Sequence, residues 1–566
     1  METRKDGGEA LLEALRKLGI DYILSSPGSE WSPVWEALAR QKLGNAPGPV
    51  FVECWHESVA VDMAIGYTQV TGRMQAVMLH AGVGLLQGSM AVYGALQGEI
   101  PMLVLSGQSL SLGEDPSIEI ESQWYGGLSV AGGIHRLAQP FVKWANQVTS
   151  PHTLFESIVR AGEMAQRIPL GPVYLDVPLE YMVEAWTPPA DDRQVPPAPR
   201  VQPHPDEIAK VLALVLAAKN PVVVAETSGR DPEAVAALVE FAELLAIPVI
   251  DGRTSAYANF PTDHPLYLGV ANYQYLRDAD LVLLVSGRAP WYPPSQRPTA
   301  APIVSIHENP IKTHMGYQHI NAELYLEGEV ASALRLLTQG ARAAKFDASR
   351  ASERRQRWTR AHAEVEAGLR AAEREARAQP GIDPVALLAE IAETMPGDAI
   401  YVDETITHNL LVRQHLRWTR PQSFFRIPNG GLGQGIGLAL GIKLAAPKRP
   451  VVLLVGDGGF LYNPIIQALA ASKRYDLPIL VIVFNNGLYE AMKQGHVLYY
   501  PEGAAASADL FHGVKIDAPD FAGFGSHFGF HGAKVETLGE LKPALQAALA
   551  SVKGGKTAIL NVAISR

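Results

Sequence analysis

Two short apolar runs constrain this chain more than anything else in it. VVLLVGDGGF ends its β-rich stretch at Gly456-Asp457-Gly458, ILVIVFNNGLYE ends its own at Asn485-Asn486, and 26 residues separate the two motifs. Apolar runs of this length with a helix-sized interval between them predict parallel strands joined by a crossover helix. In such a sheet, ligands gather outside the carboxyl ends of the strands, where glycines let the backbone approach a phosphate and the next helix offers its N-terminus. Asp457 is the charged oxygen donor of this arrangement. An asparagine from the neighbouring strand end adds a second oxygen, a set suited to an octahedral Mg²⁺ that also takes phosphate oxygens and water.

The same alternation of β-rich and amphipathic stretches occurs three times, which predicts an α/β chain of three doubly wound domains with mainly parallel sheets. The first, 1–185, has strands expected at Tyr22 to Ser25, Pro49 to Glu53, Gln75 to His80, Met102 to Ser106 and Val173 to Val177, and is followed by the proline-rich TPPADDRQVPPAPRVQPHP. The second, 203–340, has strands expected near Pro221 to Ala225, Pro248 to Asp251, Leu281 to Val285 and Pro302 to Ile306. Residues 341–382, rich in Arg, Glu and Ala, read as a solvated helical linker, and 383–566 carries the G-D-G motif. A chain of 566 residues with 47% hydrophobic content supports several cores rather than one.

Charge and composition exclude other classes. A net charge of -10 without a basic stripe argues against a nucleic-acid partner. The single cysteine, Cys54, allows no disulfide within the chain and is compatible with a reducing cytoplasm. METRKDGGEALLEALRKLGI has the leucine spacing of a first helix rather than a signal peptide. No apolar run approaches the ~20 residues that span a bilayer, so a soluble, cytoplasmic protein with no membrane partner is expected.

The longer pattern from Leu440-Gly441 through Pro447 to Gly456-Asp457-Gly458-Gly459, closed by the asparagine pair, resembles the signature of thiamine-diphosphate enzymes of the acetolactate synthase and benzoylformate decarboxylase type. The resemblance covers the chain in the family's order: pyrimidine-binding, central and diphosphate-binding domains. It implies thiamine diphosphate and Mg²⁺, with Asp457, Asn486 and the Leu488 carbonyl on the metal and Gly456, Gly458 and Gly459 at the diphosphate. The interval before the asparagines is slightly longer than usual, with Pro464 inside it. Thr405 and Thr407, in VDETITHN, are further diphosphate candidates.

In IPNGGLGQGIGLALG, Leu432 stands 25 residues before Asp457, where the family carries the apolar wedge between the two cofactor rings. The Gly430 carbonyl and Leu432 amide would hydrogen-bond the pyrimidine. Glu57 follows PVFVEC and precedes Gly66-Tyr67-Thr68, the place of the family's activating glutamate. A carboxyl in apolar surroundings suits that task, because desolvation raises its pKa and keeps a proton available. The resemblance also implies that Glu57 of one subunit meets the Asp457 site of another, hence a homodimer or a dimer of dimers.

Ser29 in SSPGSEW and His80 in VMLHAGVG point toward the benzoylformate decarboxylase side: the serine to hold the substrate carboxylate or carbonyl, the histidine to move protons. His56 and His408 are secondary relay candidates. Gln123 matches a substrate-side glutamine of acetolactate synthases, and DFAGFGSHFGF also resembles those enzymes. Those enzymes carry a glycine at the Ser29 position, and the shortened Val270 to Arg277 argues against FAD.

The expected function is a Mg²⁺- and thiamine-diphosphate-dependent lyase or carboligase for a 2-oxo acid or related carbonyl compound, its enamine protonated or ligated. Alternatives are an acetolactate synthase-like transferase and a 2-hydroxyacyl-CoA or oxalyl-CoA lyase using Arg230, Arg253 and Arg288. A non-catalytic cofactor-binding homologue is a further alternative, against which Glu57 argues. The substrate pocket is expected from loops Gly113 to Tyr125 and Tyr489 to Tyr500, with Trp124, Tyr125, Tyr489, Tyr499 and Tyr500.

Overall fold

The computed structural model describes residues 5–108, 111, 122–190 and 194–565. Their strands form three six-stranded sheets. The first sheet contains β1 (Tyr22–Ser26), β2 (Val50–Glu53), β3 (Gln75–Leu79), β4 (Met102–Gln108), β5 (Trp144–Gln147) and β6 (Pro172–Pro178), in the order β2-β1-β3-β4-β6-β5. The second contains β7 (Pro221–Ala225), β8 (Val249–Asp251), β9 (Tyr267–Val270), β10 (Leu281–Val285), β11 (Ile303–His307) and β12 (Leu324–Glu327), in the order β12-β11-β10-β7-β8-β9. The third contains β13 (Ile400–Glu404), β14 (Phe424–Arg426), β15 (Val451–Gly456), β16 (Leu480–Asn485), β17 (His531–Val535) and β18 (Ala558–Ala563), in the order β14-β13-β15-β16-β18-β17.

Every pairing between these strands is parallel, and β3, β6, β7 and β10 are buried along their whole length. That burial explains why unbroken apolar runs, rather than alternation, mark them in the sequence. The first and third sheets share one topology and the second has another. Within the first two sheets, the strands β5, β9 and β12 are not expected from sequence. All three lie at sheet edges, where a strand needs less apolar surface and its signal weakens.

The chain forms two compact units. One comprises the residues up to Pro199 with Pro428–Ala446 and Pro464–Tyr475, and contains the first sheet. In it the helix Glu57–Thr71 packs on the helix Gly435–Ala445 with their backbones in contact. A Cβ on Gly441 would fall 2.0 Å from the Met63 carbonyl oxygen, and one on Gly66 would fall 2.3 Å from that of Leu438.

The other unit comprises Arg200–Ile427, Pro447–Asn463 and Asp476–Arg566, and contains the second and third sheets. Its long helix Ala348–Ala378 is not solvated all round, as its composition suggests. It buries Trp358, Ala361 and Ala376. Arg354 from the same face donates to the carbonyls of Ala218, Lys219 and Leu245, at the C-terminal ends of two helices whose last carbonyls need donors. Burial brings that guanidinium down to about 10.

Candidate active site

In the first unit, β1 runs into a 3₁₀ turn, Ser29–Trp31, that the Trp31 indole fastens by donating to the Leu79 carbonyl at the end of β3. Ser29 faces solvent and Glu30 is buried. The Glu30 carboxylate lies 2.9 and 3.1 Å from His80 Nδ1 and accepts the Ala81 N–H at 3.0 Å. His80 is the residue before the helix Ala81–Gln97, and Ala81 adopts a left-handed φ of 47°. That conformation costs about 1 kcal/mol and is held by the Glu30 bond. A Cβ on Gly28 would fall 1.8 Å from His80 Nδ1, so the imidazole requires glycine there. With a carboxylate on Nδ1, the ring carries its proton on that nitrogen and presents Nε2 for proton transfer.

Glu57 opens the helix Glu57–Thr71. A Cβ on Gly84 would stand 3.3 Å from Glu57 Oε1 and 3.4 Å from the His80 Cβ, so this glycine lies where the two candidate residues converge. His56 is the N-cap of that helix, its Nδ1 accepting the Ser58 N–H, and burial lowers its pKa. Gln123 is exposed. Beside it, Trp124 is buried and meets the His80 ring edge-on, centroids 6.4 Å apart. Tyr125 faces solvent, and most of the expected Gly113 to Tyr125 loop lies outside the described residues. Gly430 is exposed and Leu432 half-buried in a loop fixed by Asn429, whose Oδ1 accepts the Gly431 N–H at 2.8 Å and Gln434 Nε2 at 2.7 Å.

In the second unit, Asp457 begins the helix that follows β15. It is buried, with Oδ1 accepting the Gly458 N–H at 2.8 Å and Oδ2 the Gly487 N–H at 2.7 Å. The second bond joins the ends of the paired strands β15 and β16. Burial raises its carboxyl above the usual range, against the pull of these N–H groups. Asn485 turns its amide to Asn561 Oδ1 at 3.0 Å and accepts the Gly487 N–H, while Asn486 Oδ1 accepts the Leu488 N–H at 2.9 Å. Among the described residues no cluster of three or more His, Cys, Asp or Glu side chains could hold a metal. One buried carboxylate with amide and peptide oxygens is nevertheless the donor chemistry of a hard cation that keeps phosphate and water ligands, so these residues fit Mg²⁺ with a diphosphate.

Thr405 is buried and donates both its N–H and its hydroxyl to Asp403 Oδ1, at 2.8 and 2.6 Å. His408 lies against Phe484, centroids 5.8 Å apart, and burial lowers its pKa. Tyr489 packs its ring over Gly458, where a Cβ would come within 2.3 Å. The expected loop after Tyr489 is the helix Glu490–Tyr499, with Tyr499 and Tyr500 exposed. In the second sheet's domain, Arg230 pairs with Glu308 and Arg253 lies over Tyr292, so neighbours within the chain engage both of these acyl-CoA candidates.

Neither Glu30 as a partner of His80 nor the place of Trp124 against the His80 ring is legible in the sequence. The available signal for Glu30 is an acidic residue wedged between the candidate serine and a tryptophan in SSPGSEW, where only a paired charge is expected to be buried.

Models of the thiamine pyrophosphate enzymes match the chain in three segments: the N-terminal TPP binding domain over residues 5–121, the central domain over 208–337 and the C-terminal TPP binding domain over 406–562. The sulfoacetaldehyde acetyltransferase of Rhodobacter capsulatus is 27% identical across 99% of this chain and 94% of its own. The benzoylformate decarboxylase of Pseudomonas aeruginosa is 27% identical across 96% of each. The crystal structure of benzoylformate decarboxylase from Polynucleobacter necessarius aligns over 99% of both chains with a TM-score of 0.79 at 23% identity, a likeness of fold.

Proposed function

This chain belongs to the thiamine-diphosphate-dependent decarboxylases and carboligases, and we propose that it cleaves the bond between the carbonyl and carboxylate carbons of a 2-oxo acid, releasing CO₂. The observation that carries this reading is the Glu30–His80 pair with Ser29 in the same turn, a proton-moving imidazole and an anion-holding hydroxyl on neighbouring strand ends.

Thiamine diphosphate, when bound, supplies the nucleophilic carbon and the electron sink that decarboxylation needs. Asp457, Asn486 and the Leu488 carbonyl would hold Mg²⁺. Gly456, Gly458 and Gly459, with Thr405 nearby, would line the diphosphate, and Glu57, Gly430 and Leu432 would hold the pyrimidine. Ser29 binds the substrate carboxylate, and Gln123 lies on the substrate side. His80 delivers a proton from Nε2 to the carbon that has lost CO₂, so a 2-oxo acid and one proton give an aldehyde and CO₂.

The enzyme works as a homodimer, or a dimer of dimers, in the cytoplasm. Val83, Leu86, Met90 and Tyr93 form an exposed apolar stripe along the helix Ala81–Gln97, the helix that brings Gly84 against Glu57, and a second copy covers it. No helix of the described residues is long and apolar enough to cross a membrane.

The test is incubation with thiamine diphosphate, Mg²⁺ and, in turn, pyruvate, benzoylformate and branched 2-oxo acids, following CO₂ and identifying the organic product. Aldehyde as the main product supports this reading. A 2-hydroxyketone moves the assignment to ligation, and absence of CO₂ with cofactor bound rejects 2-oxo acids as substrates.

A further inference from the structure

The second sheet reverses its winding direction between β7 and β10. From β7 the chain adds β8 and β9 on one side, then returns to add β10, β11 and β12 on the other. The crevice outside the carboxyl ends of β7 and β10 is where an open parallel sheet holds a phosphorylated ligand, with successive backbone N–H groups as the anion cradle. Here that crevice contains Glu226, the residue after β7, which has no solvent exposure.

Its Oε2 accepts the N–H groups of Arg288 and Ala289, beyond β10, at 2.6 and 2.9 Å. Its Oε1 accepts the Thr254 hydroxyl, beyond β8, at 2.6 Å. One carboxylate thus bridges the ends of three strands. The space is shaped for it, since a Cβ on Gly252 would come within 2.6 Å of the Glu226 side chain. The rim is fastened as well: Arg413 donates to the Gly252 and Arg253 carbonyls at 3.1 and 2.7 Å.

We infer that Glu226 is a built-in anion occupying the phosphate position of this crevice, so that the domain takes up neither a nucleoside diphosphate nor the diphosphate of a dinucleotide. The two consecutive N–H groups and the threonine hydroxyl are the donors a phosphate would use. They are satisfied within the chain, so a second anion there would find no free donor and would be repelled by the carboxylate. Removal of the Glu226 side chain leaves the donors unpaired and opens a site for an oxyanion.

The experiment uses full-length protein saturated with thiamine diphosphate and Mg²⁺, so that the catalytic anion site is filled, with ADP and inorganic phosphate as probes in equilibrium dialysis and thermal unfolding. Wild type is expected to bind neither saturably and to keep its Tm. Glu226→Ala is expected to lose about 5 °C and to recover it saturably with phosphate or ADP, but not with chloride at equal ionic strength. Glu226→Gln, which fills the space but turns an amide on the donors, is expected to lose stability without phosphate rescue. Saturable ADP binding by wild type overturns the inference, as does a folded alanine variant indifferent to oxyanions. Should that variant not fold, its refolding yield with and without phosphate decides: an increase supports the inference, and none overturns it.

Discussion

The Glu30 carboxylate lies 2.9 Å from His80 Nδ1 while also accepting the N–H of Ala81, so one buried side chain fixes both the imidazole and the backbone that follows it. A histidine at a strand end can turn about its side-chain bonds. Held in this way, it has one tautomer, one orientation and a negative charge behind it when it becomes imidazolium.

Glu30→Gln removes that charge and keeps the shape. Turnover is expected to fall about 10- to 100-fold, and the limb of the pH–rate profile that reports the imidazole to move to lower pH, since the imidazolium loses its counter-charge. Superimposable profiles for variant and wild type would show that Glu30 does not act through His80.

Glu57→Gln separates binding from turnover. Retention of thiamine diphosphate, followed by Mg²⁺-dependent quenching of tryptophan fluorescence, is expected to change less than the rate, which falls by about 10²- to 10⁴-fold. Surviving turnover would remove Glu57 from the chemistry.

Asp457→Asn withdraws the one charge from the proposed Mg²⁺ site. Affinity for Mg²⁺ with the cofactor is expected to drop about 10- to 100-fold. Asn486→Ala is expected to follow it. Asn485→Ala, whose side chain is turned to Asn561, is expected to act mainly on stability. Titration calorimetry with Mg²⁺ at fixed cofactor ranks the three, and the reverse order for the asparagines would exchange their roles.

Gly441→Ala drives a methyl to 2.0 Å from the Met63 carbonyl oxygen and should destabilise the fold by about 1–3 kcal/mol. Gly368, in the exposed middle of the helix Ala348–Ala378, has nothing within 4 Å of its added Cβ. Gly368→Ala should stabilise by about 1 kcal/mol. Denaturant unfolding of both variants reads the opposite signs.

Burial raises the Asp251 carboxyl to about 6, with Asn259 and Tyr267 donating to it. Its folded pKa lies above the unfolded value, so folding takes up a proton. The stabilising contribution is whole below about pH 4 and is lost as pH rises through about 6. Asp251→Asn keeps a neutral hydrogen-bonding group there, and its stability relative to wild type should improve by about 3 kcal/mol between pH 4 and pH 8. A constant difference across that range would show that Asp251 does not titrate in this way.

Features that depend on neighbours along the chain are legible in the amino-acid sequence itself. Three rounds of apolar runs and helical intervals specify three parallel sheets, because strand burial leaves its mark in every few residues. The glycines and Asp457 at one strand end are likewise a local pattern whose meaning comes from strand-end geometry, whereas the glutamate opening a helix at position 57 is picked out by its resemblance to the family. Tertiary structure alone decided the pairings between distant side chains. Glu30 and His80 are 50 residues apart, and nothing in either segment names the other. The same holds for Glu226, whose partners at 254, 288 and 289 are backbone and hydroxyl donors with no sequence signature. It holds for the buried face of the Ala348–Ala378 helix, where Arg354 found carbonyls that composition could not announce. Local periodicity decides which elements form. Which polar groups leave water together depends on how those elements pack, and in this chain that choice shapes the proposed catalytic pair and the closed crevice of the second sheet.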